Sequence, residues 1–167
     1  MNWDALAAIA ESVGAVGVVA TLVYLAVQIR SNTKAVRAAT YDSVVSQFRD
    51  WNAPNRASPE LSAQFAIQIE EIDTLDEQSR QHATHVFFDL LKLAENLHYQ
   101  YRMGMIDASL WSGWENFFHH YLSSPGMTWY WERRRDFCNP EFAEWVDAIH
   151  DQRPDAPLRS TQVARSE

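Results

Sequence analysis

The 167-residue sequence contains little cysteine, glycine and proline, and it has fewer basic than acidic residues. Its single cysteine, Cys138, excludes an internal disulfide framework. With five glycines and six prolines, the chain is neither collagen-like nor of low complexity. The net charge of −8 argues against a nucleic-acid partner, which would require a basic surface.

Sequence motifs of the common enzyme classes are also missing. The chain contains no phosphate-binding glycine loop, no nucleophile-elbow motif and no zinc-ligand spacing. We therefore predict no catalytic residues and no cofactor. The sequence indicates how the protein is built and where it resides more clearly than what it does.

A long uncharged run lies near the N-terminus. Residues 12–29 carry no charge and are mostly aliphatic residues and glycine. As a helix, these 18 residues would be about 27 Å long, close to the roughly 30 Å hydrocarbon core of a bilayer. Residues 5–11 add only the charge of Glu11, and Trp3 stands where an interfacial anchor is expected. The run predicts a transmembrane helix with the lipid bilayer as its partner.

The charges around this run distinguish a permanent anchor from a cleaved signal peptide. A signal peptide has basic residues before its apolar run and small residues at the cleavage site after it. Here Asp4 precedes the run, whereas Arg30, Lys34 and Arg37 follow it. The positive-inside rule then predicts a single-pass protein whose C-terminal part is cytoplasmic. The unpaired Cys138 agrees with a reducing compartment.

Two features of the predicted span bear on partners. Glu11 would lie near its outer end, where the carboxylate reaches water or headgroups, although intramembrane carboxylates also serve ion passage or helix pairing. Ala10, Gly14, Gly17 and Thr21 form a face of small residues that permits close helix approach, but they do not form a GxxxG motif. Self-association and binding of another protein both stay open.

Beyond residue 30, the sequence has the periodicity of helices and no period-two strand pattern. No proline or glycine occurs from residue 18 to residue 53, so the membrane helix is expected to continue and to present an apolar stripe to the soluble part. Serine or asparagine followed by proline predicts helix starts at residues 58, 124 and 139. Thr74 and Glu77 suggest a capping box, and Gly104 a helix end.

The predicted fold is therefore all-α, with one N-terminal transmembrane helix that continues into a cytoplasmic bundle of about five helices. Residues 1–30 would form the N-terminal tail and transmembrane helix. Residues 31–151 would form the helical cytoplasmic domain, and residues 152–167 a flexible polar tail. The longest apolar seam lies on the helix that ends near Met103; it consists of Ala83, Phe87, Leu90, Ala94, Leu97 and Tyr101.

Histidines and carboxylates raise the question of a metal site. Glu95 and His98 have the Glu-x-x-His spacing of di-iron bundles, but such sites need a second pair and two further glutamates. Glu115 and His119 on the next helix are the nearest additional ligands, and helical-wheel angles place these groups on different sides of their helices. We predict no metal site, with Glu95, His98, Glu115 and His119 as the set closest to one.

Two further groups have alternative interpretations. The tryptophans beyond the membrane segment favour plain core packing, although Trp111, Trp114 and Trp131 could instead line a pocket for an aromatic or lipid ligand. Cys138 lies near Arg133–Arg135, which could activate a thiol. We expect Cys138 to pack as a small apolar side chain, because no Cys–His signature surrounds it.

Several segments together resemble a group of uncharacterised bacterial single-pass membrane proteins with a small C-terminal helical domain. The resemblance is carried by residues 11–15, 24–33, 95–101, 124–126, 129–131 and 139–142. It implies a bacterial inner-membrane location and the same architecture. Because that group has no assigned activity, the resemblance implies no site residues.

These observations favour a non-enzymatic, membrane-anchored helical module with an interaction or sensory role. One alternative is a metal-dependent membrane enzyme that uses Glu95, His98, Glu115 and His119. Another is a small-molecule or lipid sensor with an aromatic pocket.

Overall fold

The computed structural model describes residues 3–152, without the side chains of residues 5, 6, 8–10, 12 and 13. Within these residues all regular structure is helical and no strand occurs, which confirms the predicted all-α class. The α-helices are α1 (Trp3–Trp51), α2 (Ala53–Ala57), α3 (Pro59–Glu70), α4 (Glu77–Arg102), α5 (Ala108–Leu122), α6 (Pro125–Arg134) and α7 (Pro140–Asp151). Short 3₁₀ helices span Ile72–Thr74 and Arg135–Phe137.

The chain divides into two compact units between Asp42 and Ser43. The first unit contains most of α1, and the second contains the end of α1 together with α2 to α7. The predicted boundary after residue 30 stays a prediction. The predicted tail lies outside the described residues except for Gln152, which follows α7 directly.

Among the described residues, α1 is the one helix long and apolar enough to cross a membrane. The qualifying stretch is Gly14–Trp51, whose most apolar window has a mean hydropathy of 1.5 and no buried residue. Within it, the hydroxyls of Thr21 and Thr33 donate hydrogen bonds to the carbonyls of Gly17 and Ile29, at 2.8 and 2.9 Å. Both hydroxyl protons are therefore satisfied inside the helix, which for Thr21 in the uncharged run is what an apolar environment would require.

The second unit has one hydrophobic core, to which α4 contributes the most residues. The five seam residues from Ala83 to Leu97 are fully buried, and Tyr101 is half-buried. Around them lie buried side chains from the other helices, including Val44, Phe118, Tyr130, Phe142 and Val146. The stripe at the end of α1 belongs to this unit, since Val44 is buried and Phe48 contacts the rings of Trp114 and Phe117 edge to face.

Three of the predicted helix starts are confirmed by their caps. The side chains of Ser58, Ser124 and Asn139 each accept a hydrogen bond from the backbone N–H of the third residue of the helix that follows, in α3, α6 and α7 respectively. In each case proline occupies the first helical position, where no N–H donor is needed.

The predicted capping box at Thr74 and Glu77 is wrong. The hydroxyl of Thr74 donates to the carbonyl of Glu71 at 2.8 Å and closes a 3₁₀ turn instead. Asp76 caps α4, because its carboxylate accepts a hydrogen bond from the Ser79 N–H at 2.8 Å. The sequence analysis did not predict α2, a five-residue helix that tolerates Pro54 because this proline lies in its first turn.

Two glycines have defined structural roles. Gly104 follows α4 with a φ of +69°, and the Met105 N–H donates to the carbonyl of Gln100, which forms a Schellman-type end. Gly126, in the first turn of α6, lies so close to α3 that an added Cβ would be 2.1 Å from the carbonyl oxygen of Gln68. This close approach brings α3 and α6 together.

Candidate functional site

Glu95, the first of the four candidate metal ligands, is engaged in a structural hydrogen-bond network. One carboxylate oxygen accepts from the backbone and side-chain nitrogens of Asn139, both at 2.7 Å. The other accepts from Lys92 at 2.7 Å, and Lys92 also donates to the Phe137 carbonyl at 2.6 Å. Burial raises the pKa of Glu95, but the hydrogen bonds from Asn139 and Lys92 outweigh it and leave the pKa lowered. Glu95 therefore holds the start of α7 against α4.

His98 lies among aromatic rings. It is 7% exposed, it stacks on Trp145 with ring centroids 5.2 Å apart, and Trp111 and Phe142 lie within 6 Å. Burial is the main cause that lowers the pKa of His98, and the charge of Arg102 lowers it further. Its surroundings are those of a neutral core residue.

Glu115 and His119 border an open depression between α5 and α7. Trp145, Asn116 and Gln152 also line this space of about 490 Å³. The centroid of the His119 ring lies 6.0 Å from that of Trp145, so the Trp145 ring contacts both His98 and His119. Within residues 3–152, no group of three or more histidines, cysteines or carboxylates is arranged to hold a metal ion.

The region around Cys138 is organised by ion pairs. Burial raises the pKa of the Cys138 thiol to about 11, and the charge of Glu95 contributes, so the group is protonated at neutral pH. Arg135 binds Asp147 through two nitrogens, with the shortest contact 2.6 Å, and Arg133 lies over the Trp129 ring. These arginines are thus held by other partners, and the thiol has the character of a packed apolar side chain.

A cavity that the sequence did not predict lies between the end of α1, α2, α3 and α4. Its volume is about 310 Å³. The lining combines aromatic and aliphatic side chains with two carboxylates and several amides: Asp50, Trp51, Pro54, Asn55, Leu61, Gln64, Phe65, Gln68, His82, Val86 and Asp89. All belong to the second unit. This mixture of apolar walls and a few polar groups is typical of small-molecule sites.

The walls of this cavity, which we call the α3–α4 cavity, are held in place by specific contacts. The rings of Trp51 and Phe65 meet nearly at a right angle, with centroids 5.6 Å apart. The Trp51 indole N–H donates to the Val86 carbonyl at 3.4 Å. Gln68 is only 2% exposed, and its amide nitrogen donates to Nδ1 of His82 at 3.2 Å. Both rings and the buried amide are therefore positioned before any ligand arrives.

A second, shallower depression adjoins the α3–α4 cavity. Asp50, Trp51 and Asp89 line both spaces, and Lys92 and Leu93 extend the second one along α4. The two aspartates therefore border both spaces, and both are exposed.

The alternative of a ligand pocket lined by Trp111, Trp114 and Trp131 does not correspond to either of these spaces. Trp111 and Trp131 are buried core residues; Trp111 stacks on Tyr101 at 4.7 Å, and the Trp131 indole donates to Asp147 at 2.9 Å. Neither they nor Trp114 borders the α3–α4 cavity or the α5–α7 depression. The aromatic residues that line the α3–α4 cavity are instead Trp51 and Phe65.

Comparison with known proteins finds no matching family model, no matching curated protein and no matching solved structure. The resemblance to bacterial single-pass proteins thus stays a prediction.

Proposed function

We propose that the protein is a non-enzymatic sensory module of the bacterial inner membrane, anchored by α1, with a cytoplasmic helical domain that binds a small molecule in the α3–α4 cavity. The observation that carries this proposal is the extent of α1, which is one helix from Trp3 to Trp51. The helix that contains the membrane-length apolar stretch also supplies Asp50 and Trp51 to the cavity.

The anchor and its orientation are inferred from charge. Arg30, Lys34 and Arg37 follow the apolar run, and the acidic residues Asp4 and Glu11 lie on its other side. This distribution supports a cytoplasmic second unit and opposes a cleaved signal peptide.

The sensory role follows from helix continuity. A ligand that contacts Trp51 favours one arrangement of the last turn of α1, and a ligand can shift a conformational equilibrium only by such differential contacts. The preformed walls of the cavity support binding, whereas the engaged Glu95 and buried His98 give no such support to a metal-dependent enzyme.

Topology is tested with the full chain in bacterial membranes. We expect the protein to resist carbonate extraction, to keep the mass of the uncleaved chain, and to give a fluorescent C-terminal green fluorescent protein fusion and an inactive alkaline phosphatase fusion. Changing Arg30, Lys34 and Arg37 to glutamate should reverse the fusion signals. Carbonate release or a shortened chain would overturn the proposed anchor, and an active phosphatase fusion would overturn the cytoplasmic orientation.

Binding is tested by thermal unfolding of the detergent-solubilised protein against a panel of cationic, neutral and anionic metabolites. At least one compound should raise the unfolding temperature, because a ligand that binds only the folded state stabilises it. Val86→Phe, which fills the cavity, should abolish this shift, whereas Ile67→Phe on the exposed side of α3 should keep it. No shift with any compound, or a shift that Val86→Phe does not affect, would contradict a sensory role for this cavity.

A further inference from the structure

We propose that the α3–α4 cavity binds a small organic cation, with the ammonium group at Asp50 and Asp89 and the apolar body against Trp51 and Phe65. This inference rests on the proposed function, because it names the ligand class of the same cavity.

The cavity carries negative charge. Asp50 and Asp89 both line it and are exposed, and neither forms a salt bridge with any residue in the part of the chain that the structure describes. Lys92, the nearest lysine on this face, is bound to Glu95 and to the Phe137 carbonyl. A cation bound in the cavity would be attracted by both carboxylates, whereas an anion would be repelled by them.

Aromatic rings form part of the cavity wall. Trp51 and Phe65 line the same space as the aspartates, and their rings are fixed nearly perpendicular to each other. Aromatic faces attract organic cations, tryptophan most strongly, by about 0.5–2 kcal/mol depending on desolvation. Carboxylates beside aromatic rings thus recognise an ammonium group in two independent ways.

The apolar part of the lining favours an organic cation over a metal ion. Leu61, Val86 and Pro54 give the cavity apolar walls, which a hard metal ion cannot use. A volume of about 310 Å³ is at the small end of the range for ligand pockets. The amides of Gln64 and Gln68 can orient a hydroxyl on the ligand.

The test is isothermal titration of the full chain in a non-ionic detergent with choline, n-butylammonium and 3,3-dimethyl-1-butanol. The last compound has the shape of choline without its charge. We expect saturable binding of at least one cation, and at least about tenfold weaker binding of the neutral compound, which corresponds to about 1.4 kcal/mol. Absence of saturable binding with both cations, or equal binding of choline and its neutral analogue, would overturn the proposal.

Variants locate the binding site. Asp50→Asn and Asp89→Asn should each weaken cation binding about fivefold or more, since each removes about 1 kcal/mol of charge attraction. Asp73→Asn removes an exposed aspartate that does not border the cavity and should leave affinity unchanged. Trp51→Leu should weaken binding while Asp50 and Asp89 are intact. Equal effects of all three aspartate variants would refute a specific site.

The same ammonium chemistry could come from a free metabolite or from a lipid headgroup. Repeating the choline titration in nanodiscs of phosphatidylglycerol and of phosphatidylcholine separates these sources, because a headgroup ligand would compete with choline only in the second. If a neutral or anionic metabolite gives a thermal shift that Val86→Phe abolishes while both cations fail, the cation proposal is wrong and the sensory role stands. If nothing in the panel binds, the sensory role itself fails.

Discussion

Apolar side chains in α1 and in α4 have opposite surroundings. In α1, Val19 and Leu22 lie in a stretch that is apolar on all sides, and each is 60% exposed. In α4, Phe87 and Leu90 occupy one face and are completely buried. A helix with one apolar face can find partners within its own chain, whereas a helix that is apolar all round needs an apolar environment from elsewhere. The two regions should therefore respond differently to the same kind of substitution.

The largest expected effect separates the core from the surface of α4. Phe87→Ala should lower the free energy of unfolding of the second unit by about 3–5 kcal/mol, because it leaves a cavity in the centre of the core. Its neighbour Phe88 is exposed, and Phe88→Ala should cost less than about 1 kcal/mol. Denaturant unfolding followed by circular dichroism measures both, and similar losses would contradict the described packing.

A charge in the apolar stretch of α1 should change the free energy of membrane insertion by nearly as much as Phe87→Ala changes the free energy of unfolding. It should leave the stability of the second unit unchanged. Val23→Arg should disfavour insertion by about 2.5–3.5 kcal/mol, the usual cost of arginine near the centre of a span. Val36→Arg, beside the basic residue Arg37, is the matched control and should insert normally. The carbonate-resistant fraction reports the difference, and equal fractions would refute a span centred near residue 20.

An intermediate effect is expected where α3 and α6 approach closely. Gly126→Ala should destabilise the second unit by about 1–3 kcal/mol, because its Cβ would collide with the Gln68 backbone and the helices would have to separate. Gly113→Ala on α5 meets no atom within 4 Å and should stabilise by about 0.5–1 kcal/mol. Opposite signs in thermal unfolding are the expected result, and a neutral Gly126→Ala would contradict the close approach.

The smallest effect should appear as a pH dependence. Because the folded state lowers the pKa of His98, it favours the neutral ring, and protonation of the unfolded chain costs stability as pH falls below the ordinary histidine value of about 6.5. Stability should decline between pH 7 and pH 5, and His98→Phe should reduce this decline while keeping an aromatic ring. The exposed His85→Phe should leave it unchanged. Unfolding midpoints at several pH values measure it, and identical profiles for all three proteins would refute the assignment.

The helices of the second unit were predictable largely because their signals are local. Ser58, Ser124 and Asn139 cap helices through side-chain bonds to N–H groups a few residues away. The seam on α4 was visible because its spacing reports one face of a helix. Thr74 is not the cap because α4 begins at Glu77 and the residue directly before it, Asp76, accepts the capping hydrogen bond. The sequence alone could not decide between these two neighbouring cap residues.

The α3–α4 cavity was not predictable for the opposite reason. Phe65 and Asp89 are distant in sequence from Asp50 and Trp51, and each alone has the spacing of an ordinary surface or core position. Glu95 and His98 drew attention because of their short-range pattern, yet Glu95 serves Asn139 and His98 packs against Trp145. Local spacing shows which groups share a helix face, but not which groups from other helices meet them.

The sequence by itself determined the all-α class, the apolar stretch near the N-terminus and most helix starts, because propensity, periodicity and capping act over a few residues. Only the tertiary structure decided which side chains border an open space. That outcome depends on how the helices pack, and packing is set by long-range contacts such as Gly126 against Gln68 and Phe48 against Trp114.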